Sequence, residues 1–522
     1  MNINILIGGK AGDGLNTVLD MITSSYSKIG LYVHSYKDYM SRVRGGHNFV
    51  QILISDKVAE SFREEIDIIF AFDDITLPTH INRLKDSGLA YYSDKFKFEH
   101  KNAHKLNFAE ILKVSNNLRG KSSISYGAIS KAAGIDKDVI LNFKSKKWTD
   151  EITKKNIDTA TLAYDMANKN SCIEIPNNEL MYLSGNHAVA LAAATAGVKF
   201  YCAYPMAPST SVMNYLNTYS KHMGIAIEQA EDEVAAMNAI IGSSSTGLRS
   251  MTGSSGGGIC HMSEAIGFSG IAEVPTVIID VQRPGPATGL ATRTEQSDLH
   301  FITNISHGEY PKIVLSLRTV EDCFYKTFKA FNLADKYRVP VILLSDQYLA
   351  DSGKTIAKID FDSLRINRHI TDSPTNYKHH SFDLLLYDRA LPGNDKLSIM
   401  TDSHEHNEVG NISEDSSIRV SMMNRRMSKM ELIREELDEP DYIGSDNPKT
   451  LFVAFGSICS QLREAYYDLN DPNIGILMFS DVFPLPLKNI RKYAKLANKI
   501  ISVEQNYSSQ LAELITKESG II

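Results

Sequence analysis

The chain contains 522 residues, more than one hydrophobic core usually holds, so several domains are expected. Its 43% apolar residues, 22% charged residues and net charge of −7 are typical of a globular protein and exclude a basic nucleic-acid groove. No apolar run reaches the ~18–20 residues of a membrane span, and residues 1–9 lack the basic start of a signal peptide. The sequence therefore predicts a cytoplasmic protein that binds neither nucleic acid nor membrane.

The first third of the chain alternates between predicted strands and helices. Continuous Ile, Val and Phe runs bounded by turns indicate a buried parallel sheet. The predicted strands are residues 3–8, 50–55, 66–72 and 89–93. A glycine-rich turn at 9–14 leads into an amphipathic helix through Leu19 and Ile22. The Lys-rich stretch 144–178 shows no clear strand and is expected to be a linker.

Two further blocks repeat this alternation. In the second block, helix 188–196 ends at Gly197, and doubly wound packing is expected. Its predicted strands are 199–204, 224–228, 249–252, 276–281, 313–317 and 340–345. Residues 350–446 are expected to be irregular. The third block has predicted strands 450–455, 474–479 and 500–503, with helices 460–469 and 487–497.

The five cysteines are widely spaced, and no Cys-x-x-Cys occurs. They are Cys172, Cys202, Cys260, Cys323 and Cys459. An iron–sulfur cluster or a zinc site needs clustered thiolates, so none is expected in this chain, nor any other metal ligand set. The cysteines are expected to be reduced and mostly buried, and any redox metal must come from a partner.

The densest motif region joins two small-residue loops and an acidic helix start. Residues 251–258 (Met-Thr-Gly-Ser-Ser-Gly-Gly-Gly) and 282–289 (Gln-Arg-Pro-Gly-Pro-Ala-Thr-Gly) flank a predicted strand, and Glu231-Asp232-Glu233 opens a helix upstream. Glycine removes the Cβ obstacle, so a ligand can approach the backbone closely. A carboxylate beside such loops indicates contact with a bound organic cofactor. The alternative is that acidic residues there only stabilise the helix start.

Two arginines follow the strand at 276–281. Arg283 lies where ligands border the carboxyl ends of open α/β sheets, and Arg293 comes ten residues later. Either could bind a substrate carboxylate bidentately. The alternative for each is a structural or surface ion pair.

These residues in this order resemble the fused gamma–alpha subunit of the 2-oxoacid:ferredoxin oxidoreductases. Residues 8–14 and the Arg-Gly-Gly-His segment at 44–47 resemble the gamma domain. Residues 203–210 (Ala-Tyr-Pro-Met-Ala-Pro-Ser-Thr) resemble the alpha subunit's Tyr-Pro-Ile-Thr-Pro-Ser motif. The remaining matches, in the family's order, are residues 231–233, 254–258, 283–289, 294–299, 405–410, 503–506 and 510–511.

The resemblance implies an α/β fold of several doubly wound, mostly parallel sheets. A gamma-like domain would span 1–165 and a pyrimidine-binding alpha domain 180–350. A connecting region would span 351–446, and a transketolase C-terminal-like domain 447–522.

The resemblance also implies oxidative decarboxylation of a 2-oxoacid, such as 2-oxoglutarate or pyruvate, to acyl-CoA. Thiamine diphosphate would be shared with a separate beta subunit, which carries the diphosphate site, magnesium and an iron–sulfur cluster. Ferredoxin would accept the electrons, and coenzyme A would be a substrate. A heterodimer or a dimer of heterodimers is expected.

By resemblance, Glu233 is the carboxyl that hydrogen-bonds the cofactor's aminopyrimidine and so activates it, which requires a raised proton affinity. Pro205, Pro208, Gly256 and Gly257 would contact the cofactor. The substrate-binding candidates are Arg283, Arg293, Ser209, Thr210 and Thr288, although Ser209 and Thr210 could instead cap a helix. The candidates for contact with coenzyme A or a subunit are Lys10, Arg44, Gly45, Gly46 and His47.

Several positions depart from the family pattern. Ala207 replaces a Thr, Gly257 replaces a Pro, and His187 stands where a Glu is usual, a position where a lone His is more often structural. These changes leave two alternatives open: an indolepyruvate or branched-chain 2-oxoacid oxidoreductase subunit, or a non-catalytic acyl- or nucleotide-binding protein. Gly12-Asp13-Gly14 with Asn48 imitates a magnesium motif but is expected to be a structural turn.

Overall fold

A computed structural model describes residues 1–40, 45–58, 60–145, 147–372, 377–393, 399 and 401–521. The chain divides into two compact units. The first unit contains Met1–Ser184 and Asp351–Asp360, and the second contains Gly185–Ala350 and Phe361–Ile522. Each unit therefore contains two separate stretches of the chain.

The described elements are numbered along the chain. The strands are β1 (Asn2–Ala11), β2 (Tyr32–Asp38), β3 (Gly45–Ser55), β4 (Ile66–Ala71), β5 (Leu84–Ser93), β6 (Ala103–Leu106), β7 (Leu180–Ser184), β8 (Val198–Ala203), β9 (Ala226–Gln229), β10 (Arg249–Ser254), β11 (Thr276–Gln282), β12 (Ile313–Ser316), β13 (Pro340–Asp346), β14 (Gly353–Ala357), β15 (Asp441–Gly444), β16 (Thr450–Phe455), β17 (Ile474–Phe479), β18 (Asp481–Phe483) and β19 (Lys499–Val503).

The helices are α1 (Leu15–Tyr26), α2 (Thr76–His80), α3 (Phe108–Val114), α4 (Lys121–Ala132), α5 (Lys137–Leu141), α6 (Asp150–Met166), α7 (Gly185–Thr195), α8 (Thr210–Met223), α9 (Glu233–Ser245), α10 (Gly256–Ile271), α11 (Leu299–Thr303), α12 (Val320–Tyr337), α13 (Gln347–Asp351), α14 (Ser416–Glu436), α15 (Ile458–Leu469), α16 (Lys488–Ala494) and α17 (Gln510–Ser519). Short 3-10 turns lie at Ile81–Arg83 and Phe361–Ser363.

The first unit contains an eight-stranded mixed sheet in the order β6-β5-β4-β1-β3-β2-β14-β7. The run from β6 to β1 is parallel, as predicted. The strand predicted at 50–55 is antiparallel to β1, and β2 and β6 were not predicted. A buried apolar run looks the same in either direction when both faces of a sheet are covered, so the sequence could not decide this.

The stretch expected to be a linker contains α6. Its N-cap residue Thr149 accepts a hydrogen bond from the Ile152 amide, and the helix packs against α4. A Cβ built at Gly127 of α4 would lie 2.0 Å from the Ala160 carbonyl oxygen, so the two backbones approach closely. The buried face of α6 contains Asn, Thr and Ala rather than large apolar residues, which is why no amphipathic stripe was visible.

The second unit contains two sheets, as the doubly wound pattern predicted. The seven-stranded sheet has the order β18-β12-β13-β11-β10-β8-β9 and is parallel except at β18. The four-stranded sheet has the order β15-β17-β16-β19 and is parallel except at β15. Every residue of β10, β11 and β13 is buried, so these three strands form the rigid centre of the larger sheet.

The stretch 350–446, expected to be irregular, contains β14 and the 21-residue helix α14. The buried positions of α14 include Arg425, Arg426 and Lys429. A helix whose inner face is charged gives no apolar periodicity, so the prediction was wrong here for a physical reason.

Three of the five cysteines are buried, and Cys172 and Cys260 are exposed. Within the described part of the chain, no helix is both long and apolar enough to cross a membrane. The same residues contain no cluster of three or more His, Cys, Asp or Glu side chains that could hold a metal ion.

Candidate functional site

In the second unit, three loops follow the carboxyl ends of β8, β10 and β11, where open α/β sheets bind ligands. Contacts between the loops hold them together. Arg283 Nη1 donates to the Ala207 carbonyl oxygen at 2.5 Å, and Ser254 Oγ lies 3.5 Å from Met206 Sδ. The structure thus brings the Tyr-Pro loop, the glycine turn and the Arg283 loop to one sheet edge.

Glu233 is the first residue of α9, but it does not cap the helix. The N-cap is Asp232, whose carboxylate accepts the Ala235 amide at 2.7 Å. Glu233 is only 5% exposed, and its Oε1 lies 3.4 Å from Ser254 Oγ. The helix-start role therefore belongs to Asp232, while the Glu233 carboxyl faces the glycine turn.

The three glycines at the start of α10 have different surroundings. A Cβ at Gly258 would lie 2.5 Å from Glu233 Oε1 and 2.1 Å from Ser254 Oγ. A Cβ at Gly256 would lie 2.4 Å from Asp298 Oδ2, whereas at Gly257 the nearest atom is 3.6 Å away. Gly258, which the sequence did not single out, thus makes the closest approach to Glu233.

Two carboxyls that the sequence did not indicate, Asp280 and Asp298, lie beside this turn. Asp280 ends the apolar run of β11, is in register with Ser254 of β10 and is fully buried, whereas Asp298 is half-buried. Desolvation raises the pKa of Asp298 to about 6, and desolvation with the neighbouring Asp298 charge raises that of Asp280 well above its usual range. Two neighbouring carboxyls do not both ionise readily, so the pair retains a proton to higher pH.

The remaining predicted side chains differ in exposure. Ser209 is buried and donates to the Met206 carbonyl oxygen at 2.9 Å, so it makes no side-chain cap for α8, which begins at Thr210. The Pro208 carbonyl accepts from Asn186, and Pro205 is half-buried. Thr288 is exposed.

The two candidate arginines are both half-buried and make different contacts. Arg283 joins its own loop to the Tyr-Pro loop through the bond to Ala207. Arg293 Nη1 donates to the neighbouring Thr292 carbonyl at 3.4 Å. Arg283 thus connects two of the loops.

His187 fills a packing position between α7 and α8. Its ring stacks on Tyr215 at 4.3 Å between centroids with a 7° interplanar angle. Its Nε2 is 2.6 Å from the Tyr219 hydroxyl, and burial lowers the pKa of His187 to about 4. A neutral, stacked histidine here agrees with a structural role.

The motif at 294–299 docks onto the motif at 503–511. The Gln296 amide donates to the Gln505 carbonyl at 2.8 Å, and its side-chain Nε2 donates to Asp346 and to the Phe455 carbonyl. Gln510 Nε2 donates to the Ser297 carbonyl at 2.9 Å. These bonds fix the segment that carries Asp298.

The gamma-like candidates lie in the first unit. A cavity of about 490 Å³ is lined by Lys10, Lys37 and the start of α1, whose N-cap is Gly14. Lys10 Nζ also lies 3.6 Å from an Asp74 carboxylate oxygen. Gly45 begins β3, while Arg44 lies outside the described residues.

Three side chains near this cavity are engaged locally. His47 Nε2 is 2.8 Å from His80 Nε2, and a Cβ at Gly46 would lie 3.0 Å from Met40 Sδ. Asp13 accepts the Lys10 amide at 2.8 Å, and Asn48 accepts the Met40 amide at 3.1 Å. The contacts of Asp13 and Asn48 are those of a structural turn and strand.

Both halves of the chain match models of known protein families. Residues 191–425 match the family described as pyruvate flavodoxin/ferredoxin oxidoreductase, thiamine diP-bdg, and residues 4–166 match pyruvate ferredoxin/flavodoxin oxidoreductase. The 2-oxoacid:ferredoxin oxidoreductase subunit alpha of a Sulfolobus species is 32% identical, over 100% of this chain and 93% of that protein. The 2-oxoglutarate synthase subunit KorA of Methanothermobacter marburgensis is 29% identical, over 66% of this chain and 92% of that protein.

A solved structure gives the same result. The 2-oxoglutarate:ferredoxin oxidoreductase from Magnetococcus marinus, with 2-oxoglutarate, coenzyme A and succinyl-CoA bound, has a TM-score of 0.91 and 27% identity. The match covers 100% of this chain and 95% of that one. Together with the full-length sequence relatives, it shows that the chain belongs to the 2-oxoacid:ferredoxin oxidoreductases as an alpha subunit.

Proposed function

We propose that the second unit forms the aminopyrimidine side of the thiamine diphosphate site and that Glu233 is the activating acid. The observation that supports this is the position of the buried Glu233 carboxyl. Asp232 caps the helix in its place, and the Glu233 carboxyl faces the turn so closely that any side chain at position 258 would collide with it. All of these residues lie within the span 191–425 that matches the thiamine diphosphate-binding family. A flat heteroaromatic ring fits such a glycine-lined edge, because backbone can approach it closely.

Glu233 would hold a proton on its carboxyl and share it with a ring nitrogen of the cofactor. Only the protonated carboxyl can donate a hydrogen bond to that nitrogen, which is the role the proposal gives to Glu233. Thiamine diphosphate, when bound, supplies the carbon nucleophile for the 2-oxo carbon and the electron sink for decarboxylation. Pro205, Pro208, Gly256 and Gly257 would line the same ring.

The substrate would be a 2-oxoacid, with 2-oxoglutarate favoured because both the Magnetococcus structure and the KorA relatives bear its name. Arg283 or Arg293 would bind its carboxylate, with Ser209, Thr210 and Thr288 as polar neighbours. Arg283 already holds the Tyr-Pro loop, so it would couple substrate binding to the position of that loop. An indolepyruvate or branched-chain substrate has no particular observation in its favour.

Coenzyme A would use the first unit's cavity. Lys10 and Lys37 line it together with Asp38 and Asp351, and the start of α1, whose N-cap is Gly14, offers backbone amides to a phosphate. Arg44, Gly45, Gly46 and His47 belong to the same proposal by resemblance. In the Magnetococcus relative, coenzyme A is among the bound molecules.

The diphosphate site, magnesium and iron–sulfur cluster would belong to a separate beta subunit, with ferredoxin as electron acceptor. The five dispersed cysteines of this chain support that division. Iron analysis tests it: the complex should contain iron and the alpha chain alone should not. Stoichiometric iron in the alpha chain alone would disprove the division.

The catalytic proposal is tested in the reconstituted complex. Glu233→Gln should keep the fold and reduce kcat by on the order of 10²-fold or more, because acid–base help is lost. Its control is Glu231→Gln, an exposed acid in the same turn that should leave kcat unchanged. Equal rates for both variants would disprove the assignment of Glu233.

Two further sets of variants separate the binding sites. Arg283→Ala or Arg293→Ala should raise KM for the 2-oxoacid, whereas Lys10→Ala with Arg44→Ala should raise the coenzyme A requirement only. Lys97→Ala, at an exposed lysine of the first unit, is the control for charge loss. An unchanged KM for 2-oxoacid in both arginine variants would exclude a substrate arginine. An unchanged coenzyme A requirement would leave the first unit as scaffold.

A further inference from the structure

A second, smaller cavity lies elsewhere in the second unit, lined by none of the residues assigned above. It encloses about 220 Å³, and its described lining comes from the end of α9, the α10–β11 connection, Arg338 and residues 379, 389, 390, 392, 399 and 401. Its polar lining consists of Ser245, Glu273, Arg338, His379, Arg389 and Thr401. The volume is below the ~300–1,000 Å³ of pockets for drug-sized ligands, so only a small occupant fits.

Two buried arginines in this lining have no carboxylate within hydrogen-bonding distance. Arg338 is 3% exposed and Arg389 is 4% exposed. Arg338 donates to the Glu273 and His379 carbonyl oxygens, the Tyr387 hydroxyl and the His379 ring. These acceptors are neutral, so they satisfy hydrogen bonds without cancelling the charge.

Arg389 is less satisfied. Its Nη1 donates to the Ser244 carbonyl oxygen at 3.0 Å, but its Nε and Nη2 have no hydrogen-bond partner. The nearest carboxylate contact is Asp335 Oδ1, 3.6 Å from Nη2. Burial lowers the pKa of Arg389 to about 10, so the guanidinium remains protonated at neutral pH.

The carboxylates nearby are already occupied. Glu273 accepts from Arg425 and, at 2.6 Å, from Lys429 Nζ. Asp335 Oδ2 accepts from Arg249 Nε at 2.9 Å and from Arg368 Nε at 3.1 Å. Asp335 therefore pairs with Arg389 only through Oδ1 at 3.6 Å, while its Oδ2 serves Arg249 and Arg368.

The lining histidine does not change this balance. Burial and neighbouring arginines hold the pKa of His379 far below its usual range, so its ring is neutral. A buried cation that shares its counter-ion with two other arginines is costly, and the Nε–Nη2 edge of Arg389, which lacks hydrogen-bond partners, matches two oxygens of an oxyanion. The cavity thus combines positive charge, an unused bidentate donor and room for a small group.

We propose that this cavity is a binding site for a small tetrahedral oxyanion, inorganic phosphate or sulfate, held by Arg389 and Arg338. The site is separate from the thiamine, 2-oxoacid and coenzyme A proposals. Because its described walls come from the end of α9, the α10–β11 connection, Arg338 and residues 379, 389–390 and 392, the anion would tie those segments together.

The test is phosphate binding to the purified full-length chain at constant ionic strength, with chloride as the balancing anion. Equilibrium dialysis should give one more phosphate per chain for wild type than for Arg389→Gln. Wild type should also show a saturable rise in Tm with phosphate that the variant loses. Arg365→Gln, which removes an exposed arginine of the same unit, should behave as wild type.

Arg389→Lys keeps the positive charge but loses bidentate donation from Nε and Nη2. It therefore tests the proposal even if the Gln variant fails to fold. It should bind phosphate on the order of 10-fold more weakly while keeping the wild-type Tm without phosphate, because an ammonium group offers a point charge in place of two parallel N–H donors. Sulfate should compete with phosphate in wild type. The proposal is overturned if Arg389→Gln takes up as much phosphate as wild type, or if wild type shows no saturable uptake.

Discussion

Adjacent residues Asp232 and Glu233 have separate tasks in the second unit. Asp232 caps α9, which leaves the Glu233 carboxyl inside the turn formed by Ser254 and Gly258. The sequence could single out Glu233 as a candidate because glycines and an acid occur in the family's order. It could not tell which glycine makes room for which carboxyl, because that depends on how α9 and α10 meet.

The glycines provide a matched pair of substitutions. Gly258→Ala should lower kcat by at least about 10-fold, because its Cβ would displace both Glu233 and Ser254, at a stability cost of about 1–3 kcal/mol. Gly257→Ala has open space and should be neutral or slightly stabilising, because Ala is the better helix former. Steady-state kinetics and thermal unfolding of both variants check this. Comparable losses at 257 and 258 would show that crowding of Glu233 is not the cause.

The Asp280–Asp298 pair predicts a pH dependence of stability. The pKa of Asp298 is about 6 in the folded state and ~3.9 in an unfolded chain, so folding favours its protonated form. Its contribution is therefore fully present below about pH 4 and is lost as the pH rises through about 6.

Asp298→Asn should remove the loss of folding stability that accompanies ionisation of Asp298 as the pH rises. Relative to wild type, the variant should gain on the order of 1–3 kcal/mol between pH 5 and pH 7.5, followed as the difference in thermal unfolding at each pH. Asp158→Asn, at an exposed aspartate of α6, is the control and should track wild type. Parallel pH profiles for wild type and Asp298→Asn would rule out a proton retained by this pair as a determinant of stability.

Among the elements, long apolar strands were predictable and charged or small-residue helices were not. β11 and β13 were found because every residue is buried and most are apolar. α6 and α14 were missed because they bury Ala, Thr, Arg and Lys. The Asp280–Asp298 pair could not be predicted either, since its members lie on different elements that only the fold brings together.

Residues 294–299 dock onto the C-terminal motif at 503–511. The sequence showed that the two motifs follow one another along the chain, but it did not show that they touch. Gln296→Ala should destabilise the chain by about 1–3 kcal/mol, because it removes the side-chain donor to the buried Phe455 carbonyl and one of the two donors to Asp346 Oδ2, which keeps the Ser457 amide. The turnover number should also fall, because Asp298 lies two residues after Gln296 in the same docked segment.

Asn304→Ala is the matched control for Gln296→Ala. Asn304 is an exposed amide that bonds only within its own helix turn, so its loss should cost less than about 0.5 kcal/mol. Calorimetric unfolding of both variants gives the comparison. If Gln296→Ala lowers the free energy of unfolding no more than the control does, the hydrogen bonds of Gln296 do not stabilise the contact between the two motifs.

Across the whole molecule, the two units are not consecutive in sequence. β7 pairs only with β14 among the described strands, and β14 in turn pairs with β2. The Val33 amide also donates to Thr355 Oγ1 at 2.8 Å. The outer part of the first sheet therefore depends on a segment that lies beyond most of the strands of the second unit.

A fragment of residues 1–184 should therefore leave β7 unpaired. Its amides should exchange with deuterium within seconds, whereas joining residues 351–360 through a flexible linker should restore slow exchange at β7. The amides of β4, in the interior of the sheet, serve as the internal control. Equal protection of β7 in both fragments would show that it is held by something other than β14.

The late arrival of β14 also affects the nascent chain. During translation, β1 to β7 leave the ribosome first, but β14 follows only after β8 to β13 have been made. Until then β2 presents an open edge with unsatisfied backbone groups, which is the kind of surface that pairs with other chains. A ribosome that stops before residue 353 would thus release a product in which the edge of β2 is unpaired and prone to aggregation. Binding of chaperones to the nascent chain should be strongest in that interval of synthesis.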